Sequence, residues 1–336
     1  MFTHRQKLVC AAALLAAIYT VVLTAGFFAP SSFAAQNRHS AFEPPTAVHF
    51  WDAQGAFHAR PFIYATADRT ALAPMYPLRF FIRGADYKIA GLVGFRIHLF
   101  GVDAPAEIHL MGTDGYGRDQ FSRFLYGGQI SLLAGLLATV FSLCLAVILG
   151  GFSGFYGGWI DEVLMRGGEL FLALPWLYLL FAVRAELPLH ISQTQVFLLL
   201  VSVMGLIGWA RPARLIRGVV LSAKQRNFVT AARGFGASDT YLLRKHVLPQ
   251  AYGVILTQMT LLIPQYVLAE VTLSFLGLGV GEPMASWGTL LASLQQYYIL
   301  SSYWWMFLPA LLLVPLFLIF YTAADALQEI QKSVPL

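Results

Sequence analysis

Few side chains able to do chemistry stand out, and they are unevenly placed. Glu169 and Glu270 lie inside long apolar stretches. A charge near a bilayer centre costs at least about 2.5–3.5 kcal/mol, which makes both acids functional candidates. Arg166 sits one helical turn before Glu169, so an ion pair between them is expected. Glu270 comes just before Leu273-Ser274-Phe275-Leu276-Gly277, where an interface or gating role fits better than solute contact. Asp114, Arg118 and Asp119 imitate a metal or substrate site, yet their spacing suits a polar network bracing the helix that follows. His39, His49, His58, His98 and His109 are scattered without ligand spacing, so no metal is expected. Cys10 and Cys144 each sit in apolar runs and read as small hydrophobes. The glycines from Gly150 to Gly158 lack the lysine and strand of a phosphate loop, and fit close helix packing and a tight turn. Neither a nucleophile–base pair nor a metal cluster falls at membrane depth, so no catalytic residue and no cofactor is expected.

The elements that position these residues follow from composition. Of 336 residues 58% are hydrophobic and only 12% charged, with a net charge of +5 and mean hydropathy +0.65. A soluble domain is about 45–50% apolar and about 25% charged, so the excess belongs in a bilayer. No clustered basic face with interleaved aromatics suggests nucleic acid. Spanning helices need about 20 mostly apolar residues. Six segments qualify: Leu8–Phe28, Ile130–Phe152, Gly167–Val183, Thr194–Ala210, Ala251–Leu268 and Trp304–Tyr321. Backbone satisfaction in lipid makes them helices. The first is too long for a signal h-region of about 7–15 residues, so an uncleaved anchor is expected, with cleavage near Ala35 the alternative.

Lysine and arginine in short loops set orientation. Arg211, Arg214, Arg217, Lys224, Arg226, Arg233, Arg244 and Lys245 crowd the loop between the fourth and fifth segments against the single acid Asp239. That loop and both termini are therefore expected in the cytoplasm, with Lys224 at the lipid surface. Residues 30–125 form a polar insert on the far side. Within it Val48–Phe57 reads as a hairpin turning at Gly55, and Pro77–Ile82 as a strand.

Phe228, Ala231, Ala232 and Phe235 recur at helical spacing, giving a short helix one apolar edge. Gly236 ends it at the least conformational cost. Ser238 or Asp239 caps a second short helix through Leu242 and Leu243, and Pro249 marks entry into the fifth span. The product is a helix–turn–helix elbow on the membrane face. Ala231 and Ala232 leave room there for another protein.

The stretch Thr230-Ala231-Ala232-Arg233-Gly234-Phe235-Gly236, followed by His246-Val247-Leu248-Pro249, resembles the EAA loop of binding-protein-dependent ABC importer permeases. Their pattern is Glu-Ala-Ala, three residues, Gly, nine residues, Ile-x-Leu-Pro. Thr230 replaces the glutamate and His246 the isoleucine. Leu110–Asp119, Gly154–Asp161, Leu273–Gly279 and Ser286-Trp287-Gly288 resemble the C-type permease of the dipeptide, oligopeptide and nickel branch.

The resemblance implies an all-α integral membrane protein with six transmembrane helices. An anchor (1–29) would precede a small extracytoplasmic β-rich insert (30–125) and a five-helix permease core (126–328). The loop at 227–250 would seat in a groove of an ATPase, with Phe228, Thr230, Ala231, Ala232, Phe235, Gly236, Ala237, Leu248 and Pro249 forming the contact. The partners implied are a second homologous permease, two ABC ATPase subunits, an extracytoplasmic solute-binding protein and membrane lipid, in the cell inner membrane. The cargo implied is a peptide or peptide-like solute, with nickel or another small solute the alternative. A secondary transporter would predict broken helices at matching positions of two halves, and none stands out.

Overall fold

The computed structural model describes residues 3–64, 74–89, 93–173, 175–186 and 191–333. The chain begins with α1 (His4–Leu23), an apolar helix separated by Thr24 from the single turn α2 (Ala25–Phe28). A three-stranded antiparallel sheet follows, made of β1 (His49–Trp51), β2 (Phe57–Tyr64) and β3 (Met75–Pro77). Between β1 and β2, Gly55 takes φ +83 and Asp52 Oδ1 accepts the amides of Gln54 and Ala56 at 3.0 and 2.8 Å. Asp and Gly serve there as residues that substitute for, or relieve, the backbone of a turn. Strands β4 (Arg79–Ile89) and β5 (Val93–Gly101) form a separate antiparallel pair.

The remaining named elements among the described residues are helical. They include α3 (Gln120–Tyr156), α4 (Gly158–Ala173), α5 (Trp176–Ala185), α6 (Gln193–Gly208), α7 (Ala210–Ala223), α8 (Asn227–Gly234), α9 (Asp239–Leu242), α10 (Tyr252–Phe275), α11 (Trp287–Ala292), α12 (Tyr297–Ser302) and α13 (Leu308–Ser333). Two compact units emerge, one of residues 1–15, 132–273 and 316–336 and the other of 16–131 and 274–315.

Among the described residues, four helical runs are long and apolar enough to cross a membrane: His4–Leu23, Gln120–Tyr156, Asp239–Phe275 and Trp304–Lys332. The pair α6 and α7, bent by 42° at Trp209, makes up to five. The third segment expected, 167–183, is divided between α4 and α5, with Pro175 at the boundary. Proline disfavours helical backbone in the residue before it and removes an amide donor. Residue 174 lies outside the described residues.

In the second unit the brace anticipated around Asp114 takes shape. Asp114 Oδ1 accepts the amides of Tyr116 and Arg118 at 2.9 and 3.0 Å, and Oδ2 accepts Arg118 Nε at 2.7 Å. Arg118 and Arg123 both reach Glu282, at 2.9 and 2.8 Å. Asp119 caps α3 by accepting the Ser122 amide at 2.8 Å, the arrangement that satisfies an otherwise unpaired helix-start donor. Trp287 is buried, and its indole N–H donates to Phe124 O at 3.0 Å. His109 Nδ1 lies 3.4 Å from Asp119 Oδ1. Burial works against a charge on His109, but Asp119, Glu107 and Glu43 outweigh it and leave its pKa raised.

Candidate functional site: a helical elbow on a shared core

The elbow lies wholly within the first unit. Helix α8 begins after Arg226, whose extended backbone (φ −72°, ψ 145°) breaks it from α7. It ends in a Schellman arrangement: Ala237 N donates to Ala232 O at 3.1 Å and Gly236 N to Arg233 O at 3.0 Å. Gly236 occupies the left-handed position at φ +86, where a side chain is strained whatever the space. Ser238 then caps α9, its hydroxyl accepting the Tyr241 amide at 3.4 Å. Arg233 and Asp239 pair across the bend at 3.0 Å.

Which face points inward is decided by packing. Val229 of α8 and Leu242, Leu243 and Val247 of the second arm are buried in one cluster with Ile216, Val220 and Ala223 of α7. Ala232 and Ala237 pack against that cluster. Phe228, Ala231 and Phe235 point the other way, and Phe235 is 93% exposed. So the edge expected from Phe228 to Phe235 splits in two, with Ala232 turned inward and the rest outward. Thr230 is exposed as well, while Leu248 is half-buried and Pro249 exposed. His246 places its ring between Phe228 and Tyr241, with centroids at 6.1 and 5.4 Å, and so links the two arms.

Pro249 does not interrupt the chain. A π-helical turn, Leu243–Val247, passes into a 3-10 turn, Leu248–Ala251, and then into α10. The elbow's second arm and the span are one 37-residue helical run. A π turn accommodates one extra residue without breaking the helix, and such turns are frequent at functional sites.

The elbow's footing is α7 crossing α3. A Cβ at Gly150 would lie 2.4 Å from Ala213 O, so glycine permits the crossing. Arg217 and the Ser153 hydroxyl both donate to Asp161, which holds that carboxyl below its ordinary pKa, the Arg217 hydrogen bond being the main cause. Two expectations are corrected here. Lys224 is not a free lipid-surface charge: its Nζ donates to Gly154 O at 2.9 Å and Phe155 O at 3.2 Å, closing the last carbonyls of α3. Glu169 pairs with Arg214 at 3.1 Å, while Arg166 takes Glu162 at 3.1 Å. Glu270 is fully buried, away from the elbow surface. The first unit also holds a cavity of about 300 Å³ among α4, α5, α6, α7 and α10, lined by apolar side chains with Arg211, Gln265 and Tyr266.

With this geometry in place, similarity to known proteins becomes informative. Residues 146–331 match the family described as binding-protein-dependent transport system inner membrane component, and as that is over half of the chain, the chain belongs to this family. It is 37% identical over 226 residues to the dipeptide transport system permease protein DppC of Bacillus subtilis, covering 67% of this chain and 68% of that one. It is 40% identical over 210 residues to the oligopeptide transport system permease protein OppC of the same organism, covering 61% and 65%. A fainter likeness, 16% identity with a TM-score of 0.49 over 62% of this chain and 96% of the other, links it to an inward-facing structure of the MetNI methionine ABC transporter.

Proposed function

We propose that this chain is the permease subunit of an ATP-driven importer, forming half of a translocation pathway for peptides or peptide-like solutes. The carrying observation is the elbow: an outward apolar edge of Phe228, Ala231 and Phe235, pinned by Val229 to a core and joined through the Gly236 bend to the run Asp239–Phe275. Such an edge suits the groove of a separate ATPase subunit, and Phe228, Thr230, Ala231, Phe235 and Gly236 make up the contact. Ala232, Ala237, Leu248 and Pro249 hold its shape. The peptide cargo rests on the names of the relatives, and a nickel-type small solute is the other outcome of a transport assay.

On this reading a sister permease completes the pathway, two ATPases drive it, and a binding protein delivers solute to the side bearing residues 30–125. The anchor would be residues 1–29 and the permease core 126–328, with α4 and α5 crossing as two half-length segments. Motor closure shifts the elbow, and the helix run carries the shift into the membrane. Glu270, buried late in α10, suits an interface role in that movement, and Glu169 with Arg214 ties α4 to α7. Reporter fusions test the arrangement: Ala53 and Gln295 should read outside, Lys224 and Lys332 inside. An outside reading at Lys224 overturns the scheme, since the elbow would face away from ATP.

A further inference from the structure

The two-stranded sheet β4–β5 carries a surface that the transport reading leaves unused. In β4 the adjacent residues Phe80 and Phe81 are 61% and 66% exposed. Successive side chains of a strand normally point to opposite faces. Here Phe81 takes φ +56, an outlier for a bulky residue, and both side chains are left exposed. Strained backbone of this kind persists where something else stabilises it, and it gathers at functional surfaces.

What the rings meet follows from where the sheet is fastened. Tyr87 of β4 packs on Gly26 of α2, where a Cβ would come within 2.2 Å of its ring. His98 of β5 spans two carbonyl oxygens, those of Ala29 at 2.6 Å and Ala85 at 3.0 Å. The Phe81 ring lies 6.2 Å from that of Phe27. So the sheet is bound to α2, and α2 follows α1 after one residue. Helix α1 has 20 residues, which makes it about 30 Å long and matches the hydrocarbon thickness of a bilayer. Its last turn is held by Gln129, whose side chain donates to Val22 O at 2.9 Å. If α1 spans, Phe27 lies at the membrane boundary, and Phe80 and Phe81 lie there with it. Of the basic residues on the two strands, Arg79 pairs with Asp103 at 2.8 Å and Arg96 with Asp86, while Arg83 and Lys88, on the same strand as the rings, are exposed. Aromatic rings flanked by basic side chains form the composition that settles at the headgroup level.

We propose that the β4–β5 sheet is an interfacial membrane element. Phe80 and Phe81 enter the leaflet in which α1 ends, and Arg83 and Lys88 meet lipid phosphates. The sheet then fixes the insert against the bilayer rather than leaving it to swing on its linkers.

The test uses the full chain in nanodiscs of phosphatidylethanolamine and phosphatidylglycerol, with Cys10→Ser and Cys144→Ser removing the native thiols. Single cysteines at Phe80, Phe81, Leu14 (exposed on α1) and Gln54 (in the β1–β2 turn) are spin-labelled. Collision rates are measured with oxygen, which partitions into lipid, and with a water-soluble nickel chelate. The expected result is an oxygen-to-nickel ratio at Phe80 and Phe81 close to that of Leu14 and several-fold above that of Gln54. Phe80→Cys alone suffices should Phe81→Cys disturb the kink, because Phe80 has ordinary backbone. A ratio matching Gln54 overturns the proposal by placing the rings in water. A label shielded from both reagents overturns it equally, because a protein partner then covers the patch.

Discussion

Truncating Phe235 to alanine separates the elbow's role as a docking surface from its role in the fold. The ring is 93% exposed, so little of the chain's own packing depends on it. Exposed substitutions of this kind usually change stability by no more than about 0.5 kcal/mol. Seated in a partner's groove, the same ring would be largely covered. An aromatic residue buries about 150–250 Å². Roughly 100 Å² of that lies beyond the Cβ, worth about 2.5 kcal/mol at about 25 cal/mol per Å². That is about 70-fold in affinity. Phe235→Ala should therefore leave the thermal midpoint of the permease unchanged while weakening association with the ATPase pair by one to two orders of magnitude. Retention of the ATPases on immobilised permease and solute-stimulated ATP hydrolysis in the reconstituted complex both read this. Gly236→Val gives the contrast. A Cβ there meets nothing of this chain within 4 Å, so within the permease its effect is backbone strain of roughly 1–2 kcal/mol, which lowers the midpoint as Phe235→Ala does not. Undiminished ATPase retention and coupled hydrolysis in Phe235→Ala would refute the docking edge.

Lys224→Met should remove the donors to Gly154 O and Phe155 O and lower the thermal midpoint, at about 1 kcal/mol for a lost pair of this type. The same substitution would be silent were Lys224 a free surface charge. His109 should give a pH dependence. Its pKa is raised in the folded chain, so its contribution is fully present below the ordinary value of about 6.5 and is lost as pH rises through the raised one. Wild-type midpoints measured across that window should fall more steeply than those of His109→Gln. Gly150→Ala should destabilise the α3–α7 crossing by about 1–3 kcal/mol through overpacking, since its Cβ would lie 2.4 Å from Ala213 O. Chemical denaturation followed by tryptophan emission checks it.

Local order was legible in the sequence where the determinants are local. Gly236 and Ser238 announce the bend through their own backbone preferences, and hydropathy announces α1, α3, α10 and α13. What lay hidden needed distant residues. Glu169 was expected to pair with Arg166 because helical spacing brings them together, yet Arg214 from another helix takes it. Lys224 looked like a lipid-surface charge because the carbonyls it closes belong to the end of α3, 69 and 70 residues earlier. Glu282, which draws Arg118 and Arg123 together, lies 159 residues beyond Arg123. On the eight-residue helix α8 the apolar residues Phe228, Val229, Ala231 and Ala232 share one broad sector, so periodicity cannot choose which of them is buried, and Val229 was missed for that reason.

How the chain passes Pro249, where the span begins, bears on coupling. Read alone, a proline at a loop's end suggests a hinge between elbow and span. The chain instead absorbs it through a π turn and a 3-10 turn without leaving helical backbone, because the widened turn and the tightened one redistribute the hydrogen bond that proline cannot donate. The run from Asp239 to Phe275 holds 37 residues, about 55 Å of helix. A hinge at Pro249 would let the elbow move while the span stayed still. On the proposed reading, a continuous helix would carry displacement of the elbow's second arm along α10 toward Glu270. The π turn at Leu243–Val247 then becomes the compliant point, and it lies on the elbow side of Pro249, within the core that Val229 and Ile216 share. Coupling strength should therefore depend on how tightly that core grips Leu243 and Val247, more than on the proline itself.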